Sequence, residues 1–186
     1  ALEHNDFGTT ISAGGSHSCA VLDNGSVYCW GNSGDGMLGD GTISSLISVS
    51  AGSYHTCTVI SNGSVACWGN NGYGQLGDGS TSDSTPPVIV ALPSGSSATS
   101  VSASGTRSCA TLDNGSAYCW GKNLYGRLGD GSTTDSPTPV SVALPSGSSA
   151  TSISAGGSHS CATLDNGSVA CWGSNANGRL GDGSTT

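Results

Sequence analysis

Charge is scarce in this chain, and positive charge is almost missing. Only 9% of the 186 residues are charged, and Lys and Arg together number four. All four (Arg107, Lys122, Arg127, Arg179) lie beyond residue 106. The stretch before them carries Glu3, Asp6, Asp23, Asp35, Asp40, Asp78 and Asp83 with no cation, and the net charge is −8. Such a surface repels a phosphate backbone, which excludes nucleic acid as a partner. Long apolar runs are also missing, so the sequence predicts no membrane insertion. No basic start followed by an apolar centre appears, so any signal peptide would lie outside this chain. Aromatics make up 5%, with a single Phe, and no segment carries an apolar period of 3.6, which leaves no amphipathic helix to build from.

What the chain has instead is one phrase said four times. It reads His17-Ser18-Cys19-Ala20-Val21-Leu22-Asp23-Asn24-Gly25-Ser26-Val27-Tyr28-Cys29-Trp30-Gly31, and it returns around Cys57–Trp68, Cys109–Trp120 and Cys161–Trp172. Successive copies are offset by 38, 52 and 52 residues. A repeat of this length is the signature of a propeller, a solenoid or an array. It argues against a flexible linker, which the 31 glycines alone would suggest.

The phrase predicts its own pairing. With Asp23-Asn24-Gly25 as a three-residue hairpin loop, Gly25 takes the left-handed position. Leu22 then faces Ser26, Val21 faces Val27, Ala20 faces Tyr28, and Cys19 faces Cys29 at a close, non-hydrogen-bonded pair. A cross-strand disulfide fits there. The rival two-residue Asn-Gly turn would stagger the sulfurs. The first register therefore pairs Cys19 with Cys29, Cys57 with Cys67, Cys109 with Cys119, and Cys161 with Cys171. Closing a loop of this size stabilises by about 2–3 kcal/mol in the chain-entropy model. Eight cysteines at equivalent places with none left over point to an oxidising, extracellular or cell-surface setting.

The same register places Cys19, Val21, Val27 and Cys29 on one face and Ala20, Leu22, Tyr28 and Trp30 on the other. Both faces are apolar, so each hairpin should be covered on both sides, as adjacent blades cover one another. Between hairpins, Pro139–Pro145 alternates and is bounded by prolines, Ser146–Ser149 reads as a turn, and Thr151–Ala155 alternates again. Residues 87–103 repeat the plan. The expectation is all-β: a β-propeller or propeller-like array of four-stranded blades, about three and a half repeats. The first inter-repeat segment, shorter by fourteen residues, should lack a strand and a turn. The chain reads as one repeat module over 1–186, with units of approximately 1–42, 43–80, 81–132 and 133–186. It begins and stops within a unit, which suggests a fragment, completion by another copy, or an open array.

The run Ala-Gly-Gly-Ser-His-Ser-Cys-Ala, then Asp-Asn-Gly-Ser-Val-Tyr-Cys-Trp-Gly, then Gly-Gln-Leu-Gly-Asp-Gly resembles the repeat of the regulator of chromosome condensation family across nearly the whole chain. That resemblance implies a β-propeller, in that family commonly of seven four-stranded blades. The family's best-known activity is nucleotide exchange on a small nuclear GTPase, and other members are protein inhibitors. The paired cysteines, missing basic patch and Ser/Thr-rich linkers depart from the nuclear regulator and resemble secreted microbial variants. No residues here match those that would perform nucleotide exchange.

Other motifs read as architecture. Gly34–Gly39 and Gly72–Gly77 match a dinucleotide fingerprint, but no helix follows and no βαβ unit surrounds them. Asp40, Asp78, Asp130 and Asp182 sit one per unit in Gly-Asp-Gly turns, too few oxygens for calcium, and each should stabilise its own turn. His17, His55 and His159 share a repeat position with Arg107. A metal ring would not accept Arg, so a hydrogen bond to backbone is expected. Cys pairs separated by nine residues are wide for zinc, and no Gly-x-Ser-x-Gly elbow appears. No cofactor and no enzyme activity is indicated.

Asn24, Asn62, Asn114 and Asn166 each open an Asn-Gly-Ser sequon at a hairpin tip, so covalent glycans are candidates there. The segment after each Trp-Gly differs most between copies. Its residues Met37, Tyr73, Gln75, Lys122, Tyr125, Arg127 and Arg179 form the candidate binding loop. Taken together, the sequence points to a non-enzymatic extracellular structural or adhesive repeat protein. Its partner would be protein: other copies of itself or a larger chain. The alternative is a soluble protein-binding propeller, an inhibitor or exchange-factor-like regulator.

Overall fold

The computed structural model describes residues 7–39 and 43–185. It contains fourteen β-strands and two single turns of 3-10 helix, at Gly34–Gly36 and Leu124–Gly126. The strands form four antiparallel sheets, the blades of a β-propeller. Blade 1 holds β1 (Gly8–Ala13), β2 (His17–Leu22) and β3 (Val27–Gly31). Blade 2 holds β4 (Leu46–Ala51), β5 (His55–Ile60), β6 (Val65–Gly69) and β7 (Ser84–Ile89). Blade 3 holds β8 (Ala98–Ser104), β9 (Arg107–Leu112), β10 (Ala117–Gly121) and β11 (Ser136–Ser141). Blade 4 holds β12 (Ala150–Ala155), β13 (His159–Leu164) and β14 (Val169–Gly173). Among the described residues blade 1 has three strands, and the strand expected to be missing from the first interval is its outermost one.

The hairpin register follows the expectation pair for pair. Val21 lies opposite Val27, Ala20 opposite Tyr28 and Cys19 opposite Cys29. Gly25 closes the loop at φ 75°, and its N–H donates to Leu22 O at 2.9 Å. All four disulfides join cysteines ten residues apart, with Cα atoms 4.0–4.1 Å apart, the close approach of a non-hydrogen-bonded pair.

One strand sits elsewhere than its prolines suggested. The sequence bounded a strand by Pro139 and Pro145, but β11 runs Ser136–Ser141 and contains Pro137 and Pro139. Likewise β7 contains Pro86 and Pro87. Both are outermost strands, bonded to a neighbour on one side only. A proline there loses no ladder bond and blunts the free edge against pairing with another chain.

The core lies between blades rather than within one. Cys57, Val59, Val65 and Cys67 of blade 2 pack with Ala110, Leu112 and Trp120 of blade 3. Cys109, Ala117 and Cys119 of blade 3 pack in the same way with Ala162, Leu164 and Trp172 of blade 4. Blades 2 and 3 therefore each offer a disulfide face to the Ala-Leu-Trp face of the next, and blade 1 offers its own to Leu46, Val49 and Ile60 of blade 2. Two covered faces hold for blades 2 and 3. Trp30 of blade 1 remains 38% exposed and Val169 of blade 4 remains 64% exposed.

Candidate functional site

In the last three copies the loop that follows Trp-Gly is held by a buried asparagine. The Asn71 side chain accepts from Leu76 N at 2.9 Å and donates to Ser80 O at 3.1 Å. Its backbone N–H donates to Asp83 at 2.7 Å. Asn123 repeats these contacts with Leu128, Ser132 and Asp135. Asn175 donates to Asp182 and accepts from Leu180 N. Sequence reasoning passed over these asparagines, although each stands three residues after its Trp in the last three copies. The Gly-Asp-Gly aspartates act as expected within their turns: Asp78 and Asp130 each accept from the backbone N–H two residues on, at 3.0 Å. Hydrogen bonds from Ser132 and Asn123, outweighing burial, hold the Asp130 carboxyl below its ordinary range. Asp40 lies outside the described residues.

This anchored loop meets the next blade through its backbone. Met37 O accepts from Trp68 Nε1 at 3.0 Å and from Thr56 Oγ1 at 3.1 Å. Gln75 O accepts from Trp120 Nε1 at 2.9 Å and from Ser108 Oγ at 3.0 Å. Arg127 O accepts from Trp172 Nε1 and Ser160 Oγ, both at 3.0 Å. The glycine two residues on lies flat against the indole. A Cβ on Gly77 would stand 2.6 Å from Trp120 Nε1, so no other residue fits that approach.

The histidine column completes each junction. His17 Nε2 lies 2.7 Å from Thr56 Oγ1, and His55 Nε2 lies 2.7 Å from Ser108 Oγ. The partner is thus a hydroxyl of the next blade, not the backbone that the sequence suggested. Because each hydroxyl spends its hydrogen on the loop carbonyl, the imidazole must donate from Nε2. Nδ1 of His17 and of His55 is then a buried acceptor with no protein partner. Burial, and secondarily the charge of His17, pushes the His55 pKa down to about 3. Burial likewise lowers that of His17. At the third junction Arg107 takes the same place. Its guanidinium donates to Ser160 Oγ and to the carbonyl of His159. Burial, then the neighbouring Arg127, lowers its pKa to about 10, so it stays charged.

The candidate binding residues therefore divide. Met37, Gln75 and Arg127 are buried between blades and act through their carbonyls, so they are not available at the surface as the sequence grouping supposed. Arg179, half-buried, donates to the Ser158 hydroxyl. Tyr73 and Tyr125 remain at the loop tips, 39% and 60% exposed. Lys122 Nζ stands 4.1 Å from the centre of the Tyr73 ring, linking one loop to the next. Tyr125 sits at φ 67°, a left-handed position costly for an aromatic residue, and Leu124 beside it is also exposed. The four sequon asparagines are exposed at their tips, where Asn24 accepts from Ser26 N and Oγ. Among the described residues no three His, Cys, Asp or Glu side chains gather as a metal-binding group.

Comparison with known proteins places this geometry. The family model described as "Regulator of chromosome condensation (RCC1) repeat" matches residues 62–111 and 114–163. A second model of the same description matches 9–36, 46–75, 98–127 and 150–179. The ultraviolet-B receptor UVR8 of Arabidopsis thaliana is 30% identical over 94% of this chain, which spans 31% of that receptor's length. The structure of yeast RCC1 (Prp20) bound to Kap60 superposes with a TM-score of 0.85, at 21% identity, over 98% of this chain and 47% of that one. The ectodomain of the Physcomitrella patens receptor kinase CR4 superposes with a TM-score of 0.66, at 27% identity, over 95% of this chain and 43% of that one.

Proposed function

Since the chain belongs to the regulator of chromosome condensation (RCC1) repeat family, we propose that it is a protein-binding propeller module acting outside the cell, in a structural or adhesive role. The repeated polar groups are engaged in joining blade to blade, which supports binding rather than catalysis. What the repeat leaves free is the loop edge, and one observation carries the reading. Tyr73 lies against Lys122 there, and Leu124 and Tyr125 stand exposed two and three residues beyond Lys122, in the segment that differs most between copies, with Tyr125 presented from a strained backbone. Rigid aromatic side chains on anchored loops are the usual centre of a protein interface.

The four disulfides support an oxidising compartment. The Asn24, Asn62, Asn114 and Asn166 tips are open to glycans where the host attaches them. The test uses labelled full-length chain on the surface of the source cells. Binding should be lost on protease treatment of the cells and weakened at least tenfold in the Tyr73→Ala/Tyr125→Ala variant, with all four disulfides intact by mass spectrometry. Equal binding by wild type and variant would sink the loop-edge assignment. A chain recovered reduced from the cytosol would favour the soluble regulator instead.

A further inference from the structure

We infer that the junction between blades 3 and 4 holds a site for a small oxyanion, built on the guanidiniums of Arg107 and Arg127. The inference goes beyond the loop-edge reading above and does not rest on it.

The repeat supplies its own comparison. At the first two junctions the column and loop positions carry pairs without a permanent charge, His17 with Met37 and His55 with Gln75. Both close with the same indole and hydroxyl bonds as the third, so the joint itself needs no cation. At the third junction the equivalent residues are Arg107 and Arg127. Two of the chain's four cations thus meet in one joint, 1% and 8% exposed. A further change accompanies them. A Cβ on Gly52 would stand 2.7 Å from His55 Cε1, so the imidazole requires glycine three residues before it. Arg107 extends away towards blade 4, and Ser104 takes the glycine's place, its hydroxyl donating to Gly156 O at 2.9 Å.

Neither guanidinium is bonded to an anion. Arg107 donates to Ser160 Oγ, to the carbonyl of His159 and, at 3.4 Å, to Gly157 O. Arg127 Nε donates to Leu124 O at 2.7 Å, and its Nη1 reaches the same Gly157 O at 3.4 Å. Every acceptor is a neutral oxygen, and one carbonyl serves two like charges. Buried charges are ordinarily paired, and an unpaired one is costly. Burial lowers the Arg127 pKa, against the attraction of Tyr125 and then of Asp135. Asp135 is not bonded to it, its Oδ1 accepting from Asn123 N at 2.7 Å.

The Arg127 carbonyl joins the blades, and its guanidinium is left with a free edge. Among the described residues Nη2 has no protein acceptor, and it reaches solvent. The Nε bond and the Tyr125 ring, whose centre lies 5.8 Å from Cζ, hold the group in place. A fixed guanidinium with open donors, and a second positive charge buried behind it, receives the paired oxygens of a sulfate, phosphate or carboxylate. The bound anion offsets the repulsion that the neutral junctions avoid.

Arginine side-chain NMR of the full chain tests this, with sodium sulfate replacing sodium chloride at constant ionic strength. The Nε–H signals of Arg107 and Arg127 should shift and saturate. Arg127→Gln, which installs the residue of the second junction, should weaken sulfate binding at least tenfold. Ser104→Gly/Arg107→His, which rebuilds that junction's column, should do the same and serves if Arg127→Gln fails to fold. Inorganic phosphate and N-acetylglutamate amide, titrated in the same way, separate the sources. Tighter binding of the tetrahedral ions marks a free anion, and tighter binding of the carboxylate marks an acidic side chain of a partner. Shifts that never saturate with any of the three, or equal affinity in a folded variant, would overturn the inference. A chain that binds sulfate but not cells would sink the proposed function alone.

Discussion

Acidification should weaken this protein well above the range where its carboxylates titrate, and His55 supplies the largest share. Its imidazole is fully buried, donates from Nε2 to Ser108 Oγ, and has no protein acceptor for a proton on Nδ1. The folded pKa, pushed down to about 3, lies below the ordinary 6.5. A base with a depressed folded pKa binds its proton only when the chain unfolds. The stabilisation is complete above pH 6.5 and is lost as pH falls from there towards 3. One proton gives a limiting slope of about 1.4 kcal/mol per pH unit, reached below the unfolded pKa, so descending from about pH 6.5 to about 4.5 costs roughly 2 kcal/mol from this residue. His17 and His159, also lowered chiefly by burial, act in the same direction. The groups facing His55 are His17 on β2 and Ser108 on β9, neither of which supplies an anion to hold an imidazolium. Asp130 and Asp182, held low by their turn hydrogen bonds, add their losses only at more acidic pH. Urea unfolding at a series of pH values measures the effect, read against His55→Gln. Its amide can donate to Ser108 but cannot titrate. The variant should show a slope reduced by about one proton. An unchanged slope, or an imidazole of His55 titrating near 6.5 by NMR, would refute the reasoning.

Other outcomes follow from the same junctions. Trp120→Ala removes a fully buried side chain and one of the two donors to the Gln75 carbonyl, and should cost about 3–5 kcal/mol in chemical denaturation. Trp30→Ala should cost much less in the same assay on monomeric protein, because that indole is 38% exposed. Gly77→Ala should unfold far more readily than Gly131→Ala when their melting temperatures are compared. Both sit at positive φ, worth about 1–2 kcal/mol, but only Gly77 also drives a methyl into Trp120, Gly131 having open space around it. Replacing Cys57 and Cys67 together by Ala should lower stability by about 3 kcal/mol in urea titrations under non-reducing conditions. Equal stability there would show that the unfolded chain is already restrained without the bond.

How much of this was legible depends on the range of the interaction. The hairpin register, its left-handed glycine and the four disulfides were legible because everything they need lies within about a dozen residues. The outer strand was misplaced by a few residues because Pro139 and Pro145 read as its boundaries, whereas β11 carries Pro137 and Pro139 within it. Only membership of a sheet edge makes them harmless inside one. The histidine column was recognised as structural, yet its partner was assigned to the backbone. Ser108, the hydroxyl that answers His55, belongs to the next copy of the phrase and comes within reach only when blades stack.

Met37, Gln75 and Arg127 show the same division most sharply. In the sequence they looked like free variation in a loop, and so like a recognition surface. In the fold their side chains are buried, and the atom that matters is the carbonyl oxygen each residue type owns alike. A junction made through backbone places little demand on side-chain identity, so its position leaves almost no trace in a single sequence. By itself the sequence determined the repeat, the hairpin, the cystine pairing and a blade apolar on both faces, since propensity and period are local properties. The tertiary structure alone decided which loop residues stay exposed, which hydroxyl meets which imidazole, and which indole meets which loop carbonyl. Those depend on contacts between blades some fifty residues apart, where neither period nor propensity reaches.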